Sequence, residues 1–254
     1  FVENNIFKAE FSNINGTIKS WVLKNYFDKQ GEGAKNIELI SSGISRDNLP
    51  LTTSIGNKEF SYLKDIQFNV LEKKDKELEF TYSNQDVVIV KNYVFYQDKP
   101  YFDYQMNIRS VGGKTLTGTI DILSSMKHKE ENGQSFFNPS GGQDAIEAMI
   151  YSDHKFQSYP FADLKEVILE KEDVRWSGVS SRYFLISLIN NGPSKATATI
   201  NKELDLVKAV YGFPIINNQA EIKMKVYLGA KEIKMLQEVD KTLVSSLNLG
   251  SIIG

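Results

Sequence analysis

The sequence predicts a mainly β protein: one antiparallel β domain closed by an amphipathic helix at its C-terminus. Three observations predict it. Apolar and polar residues alternate with period two through much of the chain, most clearly in Phe102-Asp103-Tyr104-Gln105-Met106-Asn107-Ile108-Arg109. Such alternation sets one face of a strand on a core and the other in water. The composition is rich in Phe and Tyr, with 15 and 12 residues, and holds only 6 Pro, a mix that favours strands. Beyond Gly229 the apolar spacing changes to three and four, at Ile233, Leu236, Val239, Leu243 and Leu247. That is the spacing of an amphipathic helix.

The elements follow in order. Phe7-Lys8-Ala9-Glu10-Phe11 alternates, and Asn15-Gly16 lies between it and the run from Ile18. Asn-Gly between alternating runs is a strong hairpin signal. The stretch from Gln30 to Ser54 lacks periodicity and reads as a long loop, of the kind that is usually functional or mobile. Leu78-Glu79-Phe80-Thr81-Tyr82 alternates again, while Val87 to Tyr96 is more continuously apolar, as in a strand covered on both faces. Gly112-Gly113 closes the Phe102 strand, and Lys127 to Gly142 is a second stretch without periodicity. Arg182-Tyr183-Phe184-Leu185-Ile186-Ser187-Leu188-Ile189 reads as another buried strand ended by Asn191-Gly192-Pro193. Ala220 to Leu228 alternates with its even positions apolar. About a dozen or more strands result, most with antiparallel neighbours. The expected division is a β domain over 1–230 and a helical segment over 231–254, whose apolar end Leu249-Gly250-Ser251-Ile252-Ile253-Gly254 simply stops.

Composition excludes several classes. The chain of 254 residues is long enough for a sizeable core. Lys+Arg of 30 against Asp+Glu of 32 leaves a net charge of −2, without the basic excess of a nucleic-acid binder. No apolar run reaches the roughly 18 residues of a membrane span. With no Cys, disulfides, Cys-ligated zinc and thiol catalysis are ruled out.

Candidate chemistry is thin. His128 and His154 are the two histidines, far apart in sequence, whereas a metal site needs about three oriented ligands. They read as surface residues. Gly31-Glu32-Gly33 lacks the rest of a phosphate loop, and no cofactor motif is present. Asn15-Gly16-Thr17 matches a glycosylation acceptor but is better explained by the turn. Asp144, Glu147 and Asp153 lie near His154 in sequence. Glu147 as base and His154 as acid is the arrangement a sugar enzyme would need; solvated strand edges are the simpler reading. Trp176-Ser177-Gly178, followed by Arg182-Tyr183-Phe184, is either a ligand platform or a packed β corner.

The stretch Trp176-Ser177-Gly178-Val179-Ser180-Ser181-Arg182-Tyr183-Phe184-Leu185 resembles the "W-x-G/A…(R/K)-Y-F" segment in the large periplasmic domain of the bacterial YidC/Oxa/Alb insertase family. The opening, Glu3 to Asn13 and then Gly16-Thr17-Ile18-Lys19-Ser20-Trp21-Val22-Leu23-Lys24-Asn25-Tyr26, is similar to that domain's first hairpin. Ile14-Asn15-Gly16 stands where the family often has a Gly pair. Val226-Tyr227-Leu228-Gly229-Ala230-Lys231, a helix, and then Leu247-Asn248-Leu249-Gly250 resemble the family's approach to its second membrane segment. The resemblance spans nearly the whole chain in order. It implies a β-supersandwich, galactose-mutarotase-like, of two large antiparallel sheets with a C-terminal amphipathic helix. It implies a soluble piece between two membrane spans, facing the periplasm at the bacterial inner membrane, in a protein that inserts and folds inner-membrane proteins alone or with the Sec translocon. The family's intramembrane groove and substrate-contacting Arg lie outside this sequence, so a non-enzymatic accessory domain without cofactor is expected. SecDF subunits and nascent inner-membrane proteins are the implied partners, and Ile233, Leu236, Val239, Leu243, Leu247, Trp176, Arg182 and Tyr183 are the candidate structural and interaction residues. The alternatives are a carbohydrate-binding module and a mutarotase-like sugar enzyme on the same fold.

Overall fold

A computed structural model of the chain describes residues 1–40, 43–73, 76–127, 130–131, 142–143, 146–170 and 173–247. The strands among them are β1 (Val2–Glu3), β2 (Phe7–Phe11), β3 (Ile18–Phe27), β4 (Asn36–Ile40), β5 (Thr53–Ile55), β6 (Asn69–Lys73), β7 (Glu77–Ser83), β8 (Val87–Phe95), β9 (Tyr101–Ser110) and β10 (Thr119–Lys127). Two-residue pieces β11 (Glu130–Glu131) and β12 (Gly142–Gln143) follow. Then come β13 (Glu147–Ser152), β14 (Lys155–Pro160), β15 (Ile168–Glu170), β16 (Val174–Ser180), β17 (Phe184–Asn190), β18 (Thr197–Glu203), β19 (Leu206–Pro214) and β20 (Gln219–Ala230). The helix α1 spans Ile233–Val239, and 3-10 turns cover Arg46–Asn48, Lys58–Asp65 and Lys241–Leu247.

Nine strands form one layer in the order β14-β13-β16-β17-β20-β9-β8-β7-β6. The opposing layer is divided between a five-stranded sheet, β15-β18-β19-β10-β5, and a four-stranded sheet, β1-β2-β3-β4. Both pack on the same face of the large sheet. Trp21 of β3 lies 5.9 Å from Phe102, ring to ring, and the Tyr211 hydroxyl of β19 donates to the Val174 carbonyl at 2.5 Å. The two-sheet expectation therefore holds with its second layer split. β5 pairs with β10 rather than with β4, so the chain changes sheet between Ile40 and Thr53.

Alternation sets the register. Phe102, Tyr104, Met106 and Ile108 of β9 stand opposite Val226, Met224, Ile222 and Ala220 of β20, and all but the half-buried Ala220 are buried. Asn15 and Gly16 have φ of 58° and 65°, left-handed positions that Asn and Gly tolerate, within the six-residue link between β2 and β3.

Two expectations change. β8 is not covered equally on both faces. Val87, Ile89, Lys91, Tyr93 and Phe95 are buried and the residues between them half-buried. The Gln30–Ser54 stretch is not a free loop, because it contains β4 and buries Ile40, Ile44, Leu49 and Leu51 in the core. β4 pairs back onto β3, just before it in the chain, whereas Leu51 N–H reaches the Leu123 carbonyl at 2.8 Å, and so distant a contact leaves no local period. Most of the Lys127–Gly142 stretch lies outside the described residues.

Candidate functional site

β16 and β17 are buried on both faces. One face meets the opposing layer, and the other carries Trp176, Leu185 and Ile189, joined by Met149 of β13, Tyr227 of β20 and Tyr101 of β9. Leu236 and Leu243 of the C-terminal segment close over this second cluster and are fully buried. Val239, Leu247, Met235 and Val244 pack at its border. Two fully buried leucines contribute about 3–6 kcal/mol before entropy. Ile233 departs from the expected stripe and is 50% exposed. At the first helical position it stands beyond the edge of the apolar patch, and Met235 fills the inward place.

The expected single helix is also broken. Asp240 is extended, at φ −159° and ψ 127°, and separates α1 from the Lys241–Leu247 turns. Its carboxylate accepts from Thr242 N–H at 2.9 Å and from the Thr242 hydroxyl at 2.6 Å, which caps the new turn. Arg175 of β16 donates to the same carboxylate through Nε at 2.7 Å and Nη2 at 2.6 Å. Asp240 is 4% exposed at its side chain. Burial pushes its carboxyl up, but the Thr242 and Arg175 hydrogen bonds together outweigh burial and hold it below the usual range.

Further ties fix the helix. Trp176 Nε1 donates to Thr242 Oγ1 at 2.9 Å. Lys99 and the Tyr101 hydroxyl both donate to Glu238, and these bonds, Lys99 first, hold that carboxyl below its ordinary value. The Tyr26 hydroxyl of β3 donates to Glu232. The segment therefore clasps the large sheet at two points and the four-stranded sheet at one.

The remaining candidates are dispersed. Trp176 is wholly buried, with Tyr151 stacked 6.0 Å away. Arg182 and Tyr183 form the exposed turn between β16 and β17, the guanidinium 5.4 Å from the Tyr183 ring. Trp176 and Arg182–Tyr183 thus occupy opposite ends of β16, and the packed-corner reading describes the tryptophan. Asp153 and His154 form the two-residue turn joining β13 to β14, at φ of 44° and 60°. Glu147 stands at the far end of β13, about 17 Å away at the rise of a strand, so an acid–base pair of Glu147 and His154 is not assembled. His128 and Asp144 lie outside the described residues. Among the described residues no group of three His, Cys, Asp or Glu is placed to hold a metal. A cleft of about 750 Å³ lies where the Asp153–His154 turn meets Arg175, Lys195 and Asp240; its lining mixes both charges. A groove of about 650 Å³ runs between the β2–β3 turn and β6–β7, floored by Phe11, Leu78 and Phe80.

Residues 1–253 match the family described as the YidC periplasmic domain. The chain belongs to that family. Relatives of this YidC periplasmic domain include the membrane protein insertase YidC of Pelobacter propionicus, 24% identical over 98% of this chain and 47% of the relative. The same-named protein of Geobacter sulfurreducens is 24% identical over 96% of this chain and 47% of its own. The chain spans about half the length of these curated relatives. In structure the YidC domain is similar to a galactose mutarotase-like protein from Lactobacillus casei, with a TM-score of 0.62 and 12% identity over 90% of this chain and 98% of that one. A putative aldose 1-epimerase from Escherichia coli gives a TM-score of 0.51 at 8% identity, covering 89% and 97%. These two likenesses show the mutarotase-like fold. No helix among the described residues is long and apolar enough to cross a membrane.

Sequence reasoning missed the Asp240 break, although Asp240-Lys241-Thr242 carries the side chains of a helix cap. It also missed Lys91, whose signal was a lysine at an inward position of an apolar run.

Proposed function

We propose that this YidC periplasmic domain is a non-catalytic interaction module of a membrane protein insertase, held on the periplasmic side of the bacterial inner membrane. Its partners are the Sec translocon, SecDF subunits and nascent inner-membrane proteins, and the 231–254 segment leads toward a transmembrane segment. The observation that carries this reading is the clasped C-terminal segment. Leu236 and Leu243 are buried on the sheet and Glu232, Glu238 and Asp240 are tied to three different strands. A segment so fixed orients the β domain relative to whatever it is attached to. The family match and the names of the relatives support the insertase context.

The test is complementation of cells depleted of their own insertase with full-length protein. Leu236→Asp with Leu243→Asp should reduce insertion of inner-membrane proteins. Shortening the exposed Gly31–Gly33 tip should leave it intact; deleting Gln30–Ser54 is no control, since that stretch is part of the core. Normal insertion with the double variant would overturn the reading, and aldose epimerisation by the purified chain above background would favour the sugar enzyme instead.

A further inference from the structure

Lys91 projects from the inner face of β8 and is 1% exposed. Its amine lies 2.6 Å from the Asn15 carbonyl, 3.3 Å from Asn15 Oδ1 and 2.9 Å from Thr53 Oγ1. The Phe68 ring is 5.2 Å away. These groups come from all three main sheets, or from the links between their strands: Lys91 from the nine-stranded sheet, Asn15 from the β2–β3 turn of the four-stranded sheet, and Thr53 from β5 of the five-stranded sheet. Asn15 and Thr53 are joined twice more. Asn15 Nδ2 donates to the Thr53 carbonyl at 2.8 Å, and Thr53 N–H donates to Asn15 Oδ1 at 2.8 Å.

The titratable groups facing the amine are the Tyr93 and Tyr104 phenols, one on β8 itself and one on β9, both pushed up by burial and uncharged. On the side of the Lys58–Asp65 turns, Lys64 and Asp65 are exposed, and Asp65 pairs with Arg46. The hydrogen-bond partners of the amine include no carboxylate. Its cage nevertheless suits both protonation states, because the Thr53 hydroxyl also lies 3.2 Å from the Leu51 carbonyl. With a charged ammonium, the hydroxyl donates to Leu51 and accepts from Lys91. With a neutral amine, the hydroxyl turns and donates to the lone pair of Nζ, and the two remaining N–H groups go to Asn15.

We propose that Lys91, Thr53 and Asn15 form a proton switch where the three sheets meet: uptake of one proton by the Lys91 amine, with the Thr53 hydroxyl turning from Nζ to the Leu51 carbonyl, loosens the hold of the β2–β3 hairpin on the large sheet. Burial supports it by pushing the amine down to about 7. An opened junction returns the amine to its ordinary, higher affinity for protons. Opening is therefore favoured progressively as pH falls toward 7, and levels off below it.

The test is NMR on the 254-residue chain. The Lys91 side-chain resonances should titrate near neutrality. Protection of the Asn15 and Thr53 amides, corrected for intrinsic exchange, should fall roughly fifty-fold between pH 9 and pH 7 and little further below. Lys91→Met should abolish that dependence. The proposal is overturned by a Lys91 titration near the ordinary lysine value, by protection that does not change over this range, or by a Lys91→Met protein that keeps the full dependence. The wild-type titration decides the matter if the variant does not fold.

Discussion

Gly178 owes its place to a close approach between strands. A Cβ there would lie 2.4 Å from the Ile186 carbonyl oxygen and 2.9 Å from Ser187 Cα, so β16 and β17 would have to part. Gly178→Ala should therefore cost about 1–3 kcal/mol, the range for overpacking, read as a lower urea midpoint. Asp240 acts differently, by capping. Asp240→Ala should lose about 1–2 kcal/mol, leaving Arg175, already 56% exposed, to water. The pH dependence has a defined sign. Asp240 and Glu238 bind protons more weakly folded than unfolded. Their stabilisation is present above the ordinary carboxylate value, roughly 4, and is lost as pH falls through the lower folded values. Asp240→Asn should accordingly unfold with a shallower acid dependence below about pH 5 than the parent chain. At this scale the sequence was least informative. Gly178 stood in a motif read as platform or corner, and its steric reason lies in β17, at Ile186 and Ser187 across the strand pair.

At the scale of elements, legibility followed the range of the forces. Strands β9 and β20 were readable because period-two burial is written into adjacent residues. The C-terminal stripe was readable for the same reason, at period three to four. What a local pattern omits is the shape of the surface that receives the element. Leu236 and Leu243 reach the patch formed by Trp176, Leu185 and Tyr227, while Ile233 overshoots it. Leu236→Ala should thus cost about 2–5 kcal/mol, as for a buried leucine, and Ile233→Ala should stay within about 0.5 kcal/mol. Denaturant unfolding of the two variants separates them, and equal losses would mean that the helix is seated one face round from its place here. In the Gln30–Ser54 stretch, β4 pairs back onto the neighbouring β3, but the Leu49–Leu51 corner was illegible because it is held by Leu123 of β10, which no window of neighbouring residues contains.

At the scale of the whole molecule, the large sheet is shared by two cores. Its inner face joins the four- and five-stranded sheets around residues such as Trp21 and Phe102, and its outer face joins the C-terminal segment around Trp176. A fold shared with mutarotase-like proteins says little about what is done with it; here the feature with consequences is the clasp, which gives each core one tryptophan. Because β16, β17 and β20 belong to both cores, they should unfold together. Two single-tryptophan variants test this: Trp176→Phe reports the inner core through Trp21, and Trp21→Phe reports the clasp through Trp176. Their urea transitions should coincide in the otherwise unaltered chain. Adding Leu236→Asp places a charge among Trp176, Leu185 and Tyr227, where no partner neutralises it. The Trp176 transition should then move to lower urea ahead of the Trp21 transition, since the inner core keeps its own contacts. If both shift together, the C-terminal segment is part of one indivisible core; if neither shifts, Leu236 does not carry the clasp.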